Sequence, residues 1–168
     1  HDSRVAAGCG HVEVLRWAAG RGLAIDGQGV MHRAADYGKV EVLRWGQESG
    51  LTLEASTLAR ARNTAIRKGN IDLLRWAVDA GCTLGVEVCA AAARHNRLEA
   101  LKYLHERGCP WDETACAAAA RYNRLEALKY LHEHGCPWDE TACVEAAQFN
   151  RLEALKYLHE RGCPWDET

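Results

Sequence analysis

A chain of 168 residues with 48% apolar and 26% charged residues has the size and balance of one soluble globular domain, and no apolar run approaches the roughly 20 residues of a membrane helix. Its net charge of −2 supplies no global attraction for polyanions. Eight cysteines in a chain this long and alanine-rich do not read as a secreted disulfide scaffold, because their spacing follows the spacing of the chain itself.

The chain is periodic, and from its start it divides into units of about 1–27, 28–55, 56–86, 87–113, 114–140 and 141–168. The first three carry the triplets Leu15-Arg16-Trp17, Leu43-Arg44-Trp45 and Leu74-Arg75-Trp76. The third unit is longer by four residues, within Arg60–Thr64, about one helical turn, so its helix lengthens while nearly keeping its face. The last three are near copies, with Leu101-Lys102-Tyr103, Leu128-Lys129-Tyr130 and Leu155-Lys156-Tyr157 in the same place. Residues 114–140 and 141–167 differ at only five of 27 positions.

Each unit predicts two short helices. In the fifth, a first helix runs from Thr114, read as its N-cap, to about Tyr122, and its alanines favour helix and allow close packing. A second runs over about 124–133, with Leu125, Leu128 and Leu131 as a narrow apolar stripe and Glu126 and Lys129 paired on the wet side. Gly135 ends it and Pro137 prevents its resumption. His132 and His134 sit in its last turn, where positive charge meets the negative end of the helix dipole. The expected architecture is all-α, a helix–turn–helix solenoid of six repeats.

Three segments carry a family resemblance: Gly10–Gly22, GHVEVLRWAAGRG; Gly38–Gly50, GKVEVLRWGQESG; and Gly69–Gly81, GNIDLLRWAVDAG. They resemble the second helix of an ankyrin repeat. Ala6-Ala7 and Ala34-Ala35 precede the glycine at that family's spacing, and Val30–Ala35 resembles the start of its first helix. Asn96, Asn123 and Asn150 replace the glycine in the last three units. An ankyrin repeat has 33 residues, so these copies are six short. Alignment places the gap at the β-hairpin finger, and the resemblance therefore implies a shortened turn there. The family's first-helix histidine survives only as His32, with Ala90, Ala117 and Val144 elsewhere.

Several chemical readings compete with packing. His105, His132 and His159 with Cys109, Cys136 and Cys163 form ladders of zinc-type ligands, but equivalent residues about 10 Å apart cannot close a site with ligands 2.0–2.3 Å from the ion. Leu23 and Leu51 stand where those cysteines do, which favours buried apolar packing. Ladder neighbours also exceed the ~7 Å Cα limit of a disulfide; Cys109 and Cys116, seven apart across the turn, are the pair left open. The cysteines suit a reduced, intracellular chain, and no targeting signal is visible. Trp111, Trp138 and Trp165 replace Ile25, Leu53 and Leu84, which reads as a buried ladder rather than a base-stacking platform. The pairs Asp112/Glu113, Asp139/Glu140 and Asp166/Glu167 recur and so read as turn formers and helix-start charges. No catalytic motif, metal site or cofactor site is expected.

The resemblance places partner binding on the concave face of the first helices, at the two residues after the paired alanines. These are Asp36 and Tyr37, Arg67 and Lys68, Arg94 and His95, Arg121 and Tyr122, and Gln148 and Phe149, with Gly8 and Cys9 in the first unit. Four of the five differences between the two closest copies fall in the first helix. The expected function is a non-catalytic scaffold for a protein partner, within a larger assembly, the chain being a segment of a longer array. The alternatives are nucleic-acid binding by an Arg67/Arg94/Arg121 stripe and a Cys/His metal-binding repeat.

Overall fold

The computed structural model describes residues 1–165. These form twelve α-helices and no strand, in two compact units. The first unit, His1–Thr83, holds α1 (Asp2–Cys9), α2 (Val12–Gly20), α3 (Gly27–Tyr37), α4 (Val40–Glu48), α5 (Ala55–Lys68) and α6 (Ile71–Asp79). The second, from Leu84 onward, holds α7 (Val86–Arg94), α8 (Leu98–Glu106), α9 (Glu113–Arg121), α10 (Leu125–Glu133), α11 (Glu140–Gln148) and α12 (Leu152–Glu160). The Asp166/Glu167 copy of the acidic turn pair lies outside the described residues. Among the described residues no helix is long and apolar enough to cross a membrane.

Each unit follows one plan. First helices lie side by side, α1 on α3 on α5 and α7 on α9 on α11, and each second helix folds back on its own first helix. Alanine makes the tight layer possible: on α9, Ala115, Cys116, Ala119 and Ala120 are wholly buried. The second helices contribute the larger core side chains, Leu101, Leu104, Leu128, Leu131 and Leu158, all fully buried. The extra residues of the third repeat do lengthen its first helix, to 14 residues in α5 against nine in α7.

Between the two helices the chain reverses through a left-handed residue. Gly10, Gly38 and Gly69 take φ of 82°, 72° and 70°; Asn96, Asn123 and Asn150 take 55°, 54° and 56°. Asparagine is the side chain that tolerates this region best, which explains why it stands in for glycine.

Three local expectations are corrected. The cap of α9 is Asp112, whose carboxylate accepts from the Thr114 N–H at 3.0 Å and from the Thr114 hydroxyl, and Asp139 repeats the arrangement on Thr141 N–H. A carboxylate one step outside the helix reaches the orphan donors better than a threonine already inside it. On α10 the buried stripe is Ala127, Leu128 and Leu131, with Leu125 only half-buried, because a short helix in a hairpin is covered on one narrow side. The tryptophans are not a buried ladder. Trp111 and Trp138 are half-buried and Trp165 is 48% exposed; Trp111 stacks on His105 and Trp138 on His132, each at 3.9 Å between ring centres.

The turn cysteines reach back to the start of their own repeat's first helix. Within each of the last three repeats the turn cysteine donates to the carbonyl just before that repeat's first helix, Cys109 to Gly85 at 3.6 Å, Cys136 to Asp112 at 3.3 Å and Cys163 to Asp139 at 3.3 Å. The hairpin brings the turn after the second helix back onto the first helix, a closure that sequence distance hides. These three, and Cys89, Cys116 and Cys143, are buried thiols.

Candidate functional site

The second unit presents a groove of about 490 Å³ across α7, α9 and α11. Its floor is made of small side chains, Ala90, Ala117 and Ala118, on the helix face opposite the buried alanines. At the C-terminal ends of the helices stand Arg94, Arg121 and Tyr122; at the N-terminal ends stand Glu113, Thr114, Asp139 and Thr141. Each sign of charge therefore sits at the helix end whose dipole favours it.

Tyr122 organises the basic end. The Arg94 guanidinium lies 5.1 Å from the centre of its ring and that of Arg121 5.5 Å. Arg121 also covers the Phe149 ring at 4.3 Å, and its Nε is 3.8 Å from Glu145 Oε2. Cation–π contacts within about 6 Å hold a guanidinium by its face and leave its edge N–H groups to point elsewhere. The Glu145 Oε2 is buried without a hydrogen-bond partner, although its side chain is 24% exposed to the groove.

The predicted residues thus divide. Arg94, Arg121, Tyr122 and Phe149 are brought into one cluster, with His95 half-buried at the end of α7 and Gln148 exposed at the end of α11. In the first unit, Asp36 accepts two hydrogen bonds from Arg60 Nη1, each 3.0 Å, and Lys68 Nζ donates to the Tyr37 carbonyl at 3.3 Å. The Tyr37 ring carries the Arg33 guanidinium at 5.4 Å, and Arg67 is exposed at the end of α5. His32, the one retained first-helix histidine, bonds Ser56 Oγ at 3.2 Å and faces Glu54 at 3.8 Å. There Asp36, the Tyr37 carbonyl and Lys68 are already engaged between neighbouring repeats.

Sequence reasoning missed the acidic end of the groove and Glu145. The signal existed, since Val144 and Glu145 replace Ala117 and Ala118 among the five differences between the two closest copies. The ladder of His105 and Cys109 is not a shared ligand set either: His105 stacks on Trp111, while the Cys109 thiol donates to the Gly85 carbonyl at 3.6 Å. Among the described residues, no group of three or more His, Cys, Asp or Glu side chains is placed to hold a metal ion.

Residues 88–168 match the family model described as ankyrin repeats (3 copies). The crystal structure of the human ASB11 ankyrin repeat domain superposes with a TM-score of 0.74 at 18% sequence identity, over 98% of this chain and 85% of that one. No curated protein matches the sequence. Ankyrin repeats generally mediate protein–protein interaction and are typically non-catalytic. Residues 88–168 therefore carry the ankyrin repeat signature, and the chain shares the ankyrin repeat solenoid fold along nearly its whole length.

Proposed function

We propose that the second unit is a docking module that receives a segment of a partner protein in the groove over α7, α9 and α11. The observation that carries this reading is the clamp of Arg94 and Arg121 around Tyr122, beside an alanine floor low enough to admit a backbone. Arginine and tyrosine are favoured anchors in protein interfaces, and here the tyrosine already fixes both guanidinium groups, so little further ordering accompanies binding. With the hairpin finger shortened, the helix face provides most of the contact surface. The scaffold acts without catalysis, as a holding element within a larger assembly.

The groove favours protein over nucleic acid because it is polarised. Glu113, Asp139 and Glu145 line it together with the two arginines, and three carboxylates would repel a phosphate backbone. A photo-crosslinking residue at Ala117 tests the site, with one at Lys129 on the exposed side of α10 as its control. A partner protein captured from the native source through position 117 and not through 129 is the expected result. Capture through 129 alone overturns the assignment of the face.

A further inference from the structure

The groove runs along α9 and has a direction. Thr114, Ala117, Ala118 and Arg121 lie at i, i+3, i+4 and i+7, one face of the whole helix, opposite the buried Ala115, Cys116, Ala119 and Ala120. Helix α7 flanks this face with Ala90 and Arg94, and α11 flanks it with Thr141 and Glu145.

Its two ends differ in charge. At the C-terminal end of α9 the Arg94 guanidinium rests on the Tyr122 ring, with no carboxylate beside it among the described residues. Arg121, next to it, faces Glu145 at 3.8 Å, so two cations there share one anion. At the N-terminal end Glu113 opens α9 and Asp139 caps α11, and among the described residues no lysine or arginine lines that end.

A third demand lies in the wall between the ends. The Glu145 Oε2 is buried and accepts no hydrogen bond, so a donor from the occupant would satisfy it. A helical occupant has spent its interior N–H groups on its own carbonyls, whereas an extended one still presents them. The alanine floor leaves room for such a backbone to approach.

We propose that the occupant, taking that groove as the docking site, is an extended protein segment with one acidic and one basic side chain about three residues apart. Its carboxylate engages Arg94, its cation engages Glu113 and Asp139, and a backbone N–H between them donates to Glu145. The spacing follows from the helix: from Thr114 to Arg121 α9 rises about 10 Å, which an extended chain covers in about three residues. A segment laid the other way round meets like charge at both ends, so the groove selects one orientation.

The test is selection of displayed random short peptides on the full chain. Selected peptides should be captured through a photo-crosslinking residue at Ala117 and should share one acidic and one basic position about three apart. Neutralising either charge in a synthetic peptide should weaken binding by about fivefold, the upper range for a partly exposed ion pair. Selection on Arg94→Glu should lose the acidic position and keep the basic one, and Glu113→Lys should do the reverse. The position retained in each case shows that the variant still folds. Peptides captured at 117 without the charge pair, or with apolar anchors at helical spacing, overturn this inference and leave the docking site standing. Selections that yield no peptide captured at 117 remove the docking site, and the inference with it.

Discussion

Arg124 donates from Nε to the backbone carbonyl of Arg94, 3.0 Å away, and Arg151 does the same to Arg121 at 2.8 Å. Each donor is the residue before a second helix, and each acceptor is the last residue of the preceding repeat's first helix. Helix ends leave carbonyls without intrahelical partners, and this one is satisfied from the next repeat by a charged group. The bond thereby fixes the backbone from which the groove arginines project.

Arg151→Ala should accordingly destabilise the second unit by about 1.5–3 kcal/mol, the usual range for a hydrogen bond to a charged group. Arg124→Ala should cost less, because its bond is more exposed. Urea denaturation of the two variants checks both the size and the order.

The left-handed turn gives a sharper contrast. Asn123→Ala forces a Cβ-bearing side chain without local hydrogen-bonding capacity into φ of 54° and should cost about 1–2 kcal/mol. Asn123→Gly should be close to neutral. Equal losses in thermal melts would show that the asparagine side chain, rather than the backbone conformation, matters at this turn.

At the groove, reversal of charge in Arg94→Glu/Arg121→Glu should weaken the captured partner by about 30-fold or more, the scale of a lost hot spot of about 2 kcal/mol. The helical circular dichroism should be retained, since both side chains lie on the surface layer. Titration of the crosslink-identified partner against wild type and variant decides it; unchanged affinity would remove the arginines from the interface.

Alkaline pH should destabilise the second unit. Burial, then a hydrogen bond with Cys143, pushes the Cys163 thiol up to about 12, and burial also raises Cys143. Above the ordinary thiol value of about 8.5 the unfolded chain releases protons that the folded chain retains, so rising pH favours unfolding. The stabilisation is complete below that value and fades as pH climbs toward about 12. Tyr130 and Tyr157, raised chiefly by burial, act in the same sense above about pH 10. Melts between pH 8 and 11 should fall more steeply for wild type than for Cys143→Ala/Cys163→Ala.

The period, the paired helices and the turn at Gly135 were legible because each is written in neighbouring residues and repeated. Arg121 and Tyr122 were legible for a related reason, as differences between copies that otherwise agree. What escaped depends on closure in three dimensions. The contact of Cys136 with the Asp112 carbonyl exists only after the hairpin folds, and Glu145 acquires meaning only when α11 sets it 3.8 Å from Arg121 on α9. Trp111 escaped because its aliphatic counterparts upstream gave no hint that a larger ring would extend outward over His105.

The recurring bond from Arg124 to Arg94 and from Arg151 to Arg121 also bears on how such an array can change. Both junctions in the second unit repeat this arginine-to-carbonyl bond, so one whole 27-residue copy can be gained or lost by recombination while each remaining seam keeps it. Copy number would then set the length of surface offered, and the pair at the end of each first helix its content. Those two properties are free to diverge independently.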